Sequence, residues 1–246
     1  MSLPFTVIGG FLGAGKTTLL NHWLRHNAGS RLAVLVNDFG AINIDAGLIE
    51  SAQGDTIALT NGCVCCQIGD DLSRALMQVL ETADAFDAVI VEASGVSDPW
   101  RIAQMGRADP GLRLDGVIVV VDAQAALEQA RDPLLADTLE RQLRAADLIV
   151  VNKCDDVATV ERQALRDWIA SVAGAVPRFE TTRGVVPLEL LGGVALDAQA
   201  HGHAAAHQDE DHAGHGHDHG HDHDHADHGR LFDTWSCRPY RTFEPA

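Results

Sequence analysis

Lysine is nearly missing from this chain: of 246 residues, only Lys16 and Lys153 carry an ammonium side chain. Arginine supplies the rest of the basic charge. Acidic residues outnumber basic ones 35 to 18, for a net charge of -17. So acidic a chain argues against nucleic acid or an anionic membrane as a general partner. No apolar run is long enough to span a bilayer, and Met1-Ser2-Leu3-Pro4 lacks the basic start of a signal peptide. A cytoplasmic protein is therefore expected. Cysteine is sparse as well, five in all and three of them crowded between positions 63 and 66. An odd count arranged this way fits a reducing compartment with a metal or redox site better than a disulfide framework.

What is present suffices for one sizeable domain. Hydrophobic residues make up 46 % of the chain, enough for a good α/β core plus an appendage. Both lysines fall inside nucleotide motifs. Their retention there suggests that a compact ammonium is needed, although a GC-rich genome depletes lysine as well.

The organising stretch is Gly10-Phe11-Leu12-Gly13-Ala14-Gly15-Lys16-Thr17, followed by Thr18. It fits G-x-x-x-x-G-K-[ST] between an apolar strand, Phe5 to Ile8, and a helix through Thr18 to Leu24. The glycines let the backbone curl so that successive N–H groups face phosphate oxygens, and the helix N-terminus adds its positive end. Gly13, Ala14, Gly15 and Thr18 are the expected cradle, Lys16 the contact to the β- and γ-phosphates, and Thr17 a ligand of Mg²⁺.

Strands read as Val/Ile/Leu runs at Leu32 to Val36, Asp87 to Val91, Val117 to Val121 and Leu148 to Val151, with a short one at Thr56 to Thr60. Helical spacing fills Leu72 to Leu80, Pro133 to Ala146 and about Val160 to Val172. The pattern predicts a mostly parallel sheet with helices on both faces, the P-loop NTPase form of an α/β fold. The motifs fall at the carboxyl ends of strands, where open sheets of this kind bind ligands. The expected organisation is a GTPase domain over 1–194, a disordered His/Asp-rich linker over 195–230, and a remnant strand over 231–246.

Asn152-Lys153-Cys154-Asp155 matches the guanine-reading N-K-x-D. A carboxylate at Asp155 can accept from the ring N–H and exocyclic amine of guanine, and a buried one left unpaired against adenine would discriminate. Cys154 reads as packing. Glu92 and Gly95, in Glu92-Ala93-Ser94-Gly95, follow a strand where a Mg²⁺ carboxylate and a γ-phosphate-sensing N–H are expected. Asp38 and Asp45 lie in a polar segment after Asn37 that reads as a switch. They are either solvated loop acids or groups near the metal, Asp38 also being a catalytic candidate. Asp122 is a strand-end acid with no assigned role.

Cys63-Val64-Cys65-Cys66 puts three thiols within four residues. A turn there would converge Cys63, Cys65 and Cys66 on Zn²⁺, with Co²⁺ and Cu(I) also compatible, and a following helix N-terminus would favour the thiolates. The spacing lacks paired C-x-x-C knuckles, which suggests an open site for a transferable ion. Downstream, His201, His203, His207, His212, His215, His217, His219, His221, His223, His225 and His228 alternate with acids. This tract is either a solvated linker or a low-affinity store for Zn²⁺, Ni²⁺ or Co²⁺, and the two roles are compatible.

With these motifs in order, the sequence resembles the CobW family of GTPase metallochaperones, relatives of the hydrogenase and urease maturation GTPases. The likeness rests on Gly9 to Thr18, Gly62 to Cys66, Glu92 to Gly95 with Asp98-Pro99, and Asn152 to Asp155. It implies GTP and Mg²⁺ binding, slow hydrolysis, a cysteine-bound metal that is commonly zinc, and delivery to a client metalloprotein. It also implies that Glu92 takes the place of the aspartate most GTPases carry. Asp38 stands where the family has glutamate, one methylene longer. Of the family's C-terminal α/β domain, only its first strand, Phe232 to Cys237, is expected here. The expected function is a GTP-hydrolysing zinc chaperone, with a possible homo-oligomer. The alternatives are a cobalt, nickel or iron insertion GTPase for cobalamin or nitrile hydratase maturation, or a metal-buffering protein.

Overall fold

A computed structural model of the chain describes residues 2–27, 29–36, 49–53, 56–59, 64–67 and 72–191. All belong to the first of two units, Met1–Ala206. The His-rich tract, Phe232 to Cys237, Asp38, Asp45 and Cys63 lie outside these residues.

Among the described residues nine strands form one sheet: β1 (Leu3–Gly10), β2 (Leu32–Val36), β3 (Ile49–Gln53), β4 (Thr56–Leu59), β5 (Val64–Gln67), β6 (Ala88–Glu92), β7 (Leu112–Asp122), β8 (Leu148–Asn152) and β9 (Arg178–Glu180). The order is β3-β4-β5-β2-β6-β1-β7-β8-β9. From β5 to β9 every neighbouring pair is parallel, and only the β3-β4-β5 end is antiparallel. The longer helices are α1 (Lys16–His26), α2 (Leu72–Glu81), α3 (Pro99–Ala108), α5 (Ala136–Ala145) and α6 (Thr159–Ala173), with one short turn of helix, α4 (Ala126–Gln129).

Alternation along β1 sorts the core into two layers. Phe5 and Val7 join Leu76 of α2, Ile102 of α3, Leu143 of α5 and Ile169 of α6 on one face. Ile8 joins Leu19, Leu20, Trp23 and Leu24 of α1 on the other, with Val186 and Leu191 beside them. Each fully buried aliphatic side chain adds roughly 1.5–3 kcal/mol of transfer free energy. Packing therefore holds α1 in place, since its N-cap Gly15 makes no side-chain cap bond. Among the described residues no helix is long and apolar enough to cross a membrane.

The structure departs from the sequence pattern at three places. The helix expected from Pro133 starts at Ala136 because Asp132 accepts from the Leu134 amide at 2.9 Å, which closes a turn first. Helix α3 has no counterpart among the expected helices, and Asp98 caps it by accepting from the Trp100 amide at 2.9 Å while Pro99 occupies its first turn. The third concerns the cysteines. Val64–Gln67 is a strand, so Cys65 and Cys66 occupy consecutive positions of extended backbone and not a turn. The strand before them, β4, is antiparallel to β5, so its carboxyl end points away from the edge where the other motifs gather.

Candidate functional site

Register places the motifs on one edge. Glu92 of β6 pairs with Ile8 of β1 and with Val36 of β2, and Val36 in turn pairs with Gln67 of β5. On the other side Gly10 pairs with Val120, and Asp122 with Asn152. Cys66 is thus one residue short of the Glu92 row and two strands away, about 10 Å at the usual interstrand spacing.

The loop from Gly10 to Lys16 turns from β1 into α1. Gly15 has φ of 103°, and a Cβ there would stand 2.3 Å from Asn152 Nδ2, so both conformation and space require glycine. Lys16 is buried, and its Nζ donates to the carbonyls of Gly10 at 3.0 Å and Phe11 at 3.2 Å. The ammonium therefore lies over the loop. Gly13 and Thr18 are exposed, Ala14 is buried, and α1 has no acidic residue in its first turn. The amides of that turn and the helix dipole suit an anion such as a phosphate group.

Thr17 Oγ1 donates to Glu92 Oε1 at 2.8 Å, across 75 residues of sequence. Glu92 is 3 % exposed. A hydroxyl and a buried carboxylate at the mouth of a phosphate-type loop form the oxygen set that Mg²⁺ prefers, so the residues present fit that ion. Gly95 lies against the same loop. A Cβ on it would come within 2.7 Å of the Leu12 backbone nitrogen.

The N-K-x-D residues divide their tasks. Asn152, buried, donates from Nδ2 to Ala14 O at 3.0 Å and accepts from the Gly184 amide at 3.0 Å. It ties the phosphate loop to the segment after β9. Lys153 has φ of 61°, unusual for a residue with a side chain, and its Nζ meets Asp122 Oδ2 at 2.6 Å. The other Asp122 oxygen accepts from the Gln124 amide at 2.9 Å. Asp155 stands exposed on a 3₁₀ turn, whereas base selectivity through an unpaired carboxylate calls for a buried one. Cys154 is buried in the core beneath that turn, and burial pushes its thiol pKa up.

Three pairings escaped the sequence. The segment Thr181–Gly184 completes the clamp on Asn152, and its signal was a polar, Gly-ended run after a strand too short to notice. Asp122 acquires a partner in Lys153. Gln142 of α5, 1 % exposed, donates to carbonyls of the Gly95 loop. Among the described residues no group of three or more His, Cys, Asp or Glu is arranged to hold a metal ion.

Comparison with known proteins finds relatives of this chain. The chain is 34 % identical over 235 residues to a protein of Pseudomonas aeruginosa named zinc chaperone CobW, covering 81 % of this chain and 62 % of that one. It is 37 % identical over 197 residues to the Escherichia coli zinc chaperone YjiA, covering 77 % and 60 % respectively. A Schizosaccharomyces pombe protein named zinc-regulated GTPase metalloprotein activator 1 shares 32 % identity over 192 residues, 74 % of this chain and 46 % of its own. The chain thus spans roughly half to two thirds of the length of these relatives. Among solved structures, Zn(II)-bound YjiA GTPase superimposes with a TM-score of 0.64 at 33 % identity, over 79 % of this chain and 62 % of that one. Residues 4–179 match the CobW/HypB/UreG nucleotide-binding domain, and the chain belongs to that family.

Proposed function

We propose that this protein is a GTP-hydrolysing metal chaperone that takes up zinc at Cys63, Cys65 and Cys66 and passes it to a client metalloprotein. The observation that carries the nucleotide half is the convergence of Lys16, Thr17 and Glu92 at one loop mouth, with Thr17 Oγ1 2.8 Å from Glu92 Oε1. In this reading Gly13, Ala14, Gly15 and Thr18 cradle the phosphates, Lys16 swings from its own carbonyls to the β- and γ-phosphates, and Asp155 reads guanine on a turn held by Asn152 and Lys153. Thr17 and Glu92 hold Mg²⁺, whose charge offsets that of the phosphates. Water attacks the γ-phosphorus and the β–γ bridging P–O bond breaks, leaving GDP and inorganic phosphate. Gly95 senses the γ-phosphate, and Asp38 belongs to the responding switch.

The zinc half is supported by the relatives' names and by register, which sets Cys66 two strands from the Glu92 row. Because Cys65 and Cys66 are consecutive in a strand, closing three thiolates on one ion calls for that segment to leave strand geometry. We place the coupling there: GTP orders the switch, the thiol segment responds, and hydrolysis releases both switch and ion. The imidazole tract from His201 to His228 then serves as a low-affinity feeder.

Titrating Zn²⁺ into the full chain, with and without a non-hydrolysable GTP analogue, tests the linkage. A change of at least about fivefold in zinc affinity is expected, the lower end of ordinary coupling free energies. Equal affinities would leave a nucleotide hydrolase without a delivery cycle.

A further inference from the structure

The loop from Ala93 to Asp98 is held at several points. The Ala93 amide donates to Ile8 O of β1 at 2.9 Å, and the Ser97 amide donates to Ser94 O at 3.0 Å within the loop. Gly95 abuts Leu12 so closely that an added methyl would stand 2.6 Å from Leu12 Cδ2. On the side of α5, the Gln142 amide nitrogen donates to two carbonyls of the same loop, Gly95 O at 3.0 Å and Ser97 O at 2.9 Å. Gln142 is 1 % exposed, and among the described residues its Oε1 has no hydrogen-bond partner. An unmatched buried carbonyl costs about 1–3 kcal/mol. A leucine or methionine there would remove that cost but leave the Gly95 and Ser97 carbonyls without this donor, so the glutamine's place is tied to the loop it holds.

Resting on the nucleotide reading above, we propose that Gln142 is a positioning residue for GTP recognition: by holding the Gly95 and Ser97 carbonyls it presses Gly95 against Leu12 and aims the Gly95 N–H at the γ-phosphate. The Gly95 N–H shares its peptide plane with Ser94 O, which accepts from the Ser97 amide at 3.0 Å. The Gln142 bonds to Gly95 O and Ser97 O brace the later planes of the turn that closes on it. Fixing the loop's carbonyls on α5 therefore limits where its amides can point. GDP has no γ-phosphate, so its affinity should be indifferent to the clamp. The GTP state depends on it.

The Gln142→Met variant keeps the volume and removes both donations, and Gln142→Asn keeps the amide one methylene short, within reach of one carbonyl at most. Affinities of the intact chain for GDP and for a non-hydrolysable GTP analogue are measured by fluorescence or calorimetry with Mg²⁺ present, together with kcat and KM for GTP. For Gln142→Met, GDP affinity should stay within about twofold of wild type while the analogue binds about tenfold more weakly, the value of one neutral hydrogen bond. Gln142→Asn should fall between the two. Turnover should drop in the same order. If both nucleotides weaken in parallel, or if neither changes, the clamp is only structural and the proposal is overturned. A wild-type chain that binds neither nucleotide overturns the functional reading and this proposal together, whereas normal wild-type binding with an unchanged preference in both variants overturns this proposal alone.

Discussion

Replacing Lys16 with alanine removes an ammonium that two carbonyls of its own loop already hold in place, at 3.0 and 3.2 Å. Losing a charge-assisted hydrogen bond is worth about 1.5–3 kcal/mol, so GTP affinity should fall at least tenfold to a hundredfold in a fluorescent-nucleotide titration. The same variant should keep its full capacity for zinc on the His201–His228 tract. At Gly95 the argument is steric. A methyl group would meet the Leu12 nitrogen at 2.7 Å, and backbone cannot step aside as a flexible side chain does. Gly95→Ala should therefore cut GTP turnover more than it lowers the melting temperature, because the loop yields more easily than the core. Single-turnover hydrolysis and thermal unfolding, run in parallel, check that ordering.

At the scale of elements, α3 meets β1 through a glycine. A Cβ on Gly106 would stand 2.4 Å from Cε1 of the fully buried Phe5. Gly106→Ala would gain about 1 kcal/mol of helix propensity. Overpacking a filled core costs about 1–3 kcal/mol, and the buried ring has nowhere to go, so the substitution should lower stability on balance. Denaturant unfolding should show the midpoint falling at unchanged slope. Helix α1 supplies a pH signature. His22 Nε2 lies 3.0 Å from Val186 O, and burial lowers its pKa below the ordinary 6.5, aided by His26 and Arg25 and opposed by that carbonyl. The neutral ring is the form the fold prefers. Its contribution is whole above pH 6.5 and is lost as pH falls through 6.5 toward the folded value. Glu180 acts in a separate window: the Arg166 hydrogen bond lowers its pKa, so its contribution is present above 4.5 and lost below. The melting temperature should begin to fall below about pH 6.5, and His22→Gln should flatten that first decline while leaving the later one.

For the whole molecule, the nucleotide site and the imidazole tract should make separable contributions. Deleting His201 to His228 should remove most of the zinc that purifies with the protein, measured by elemental analysis, while leaving GTP affinity unchanged. A parallel loss of GTP affinity would mean that the tract acts on the nucleotide site as well. Conversely, a GTP analogue at a hundred times its Kd should stabilise the chain by about 2.7 kcal/mol, seen as a higher melting temperature.

Much of this was legible without coordinates. The apolar strands, the loop from Gly10 to Thr17 and N-K-x-D each depend on neighbours in sequence, because glycine curvature, strand hydrophobicity and helix initiation are local matters. The chain alone therefore determined the α/β class and the identity of the nucleotide loop. What it could not determine were pairings between distant residues. That Thr17 meets Glu92, that Asn152 fastens Ala14 to Gly184, and that Gln142 holds Gly95 follow from strand order, which no local pattern encodes. The cysteines show the same division. Their spacing suggests metal chemistry, but only the pairing of β5 with β2 and β4 decided that Cys65 and Cys66 enter the sheet as a strand, because neighbouring strands, and not the thiols themselves, supply the hydrogen bonds that set their backbone.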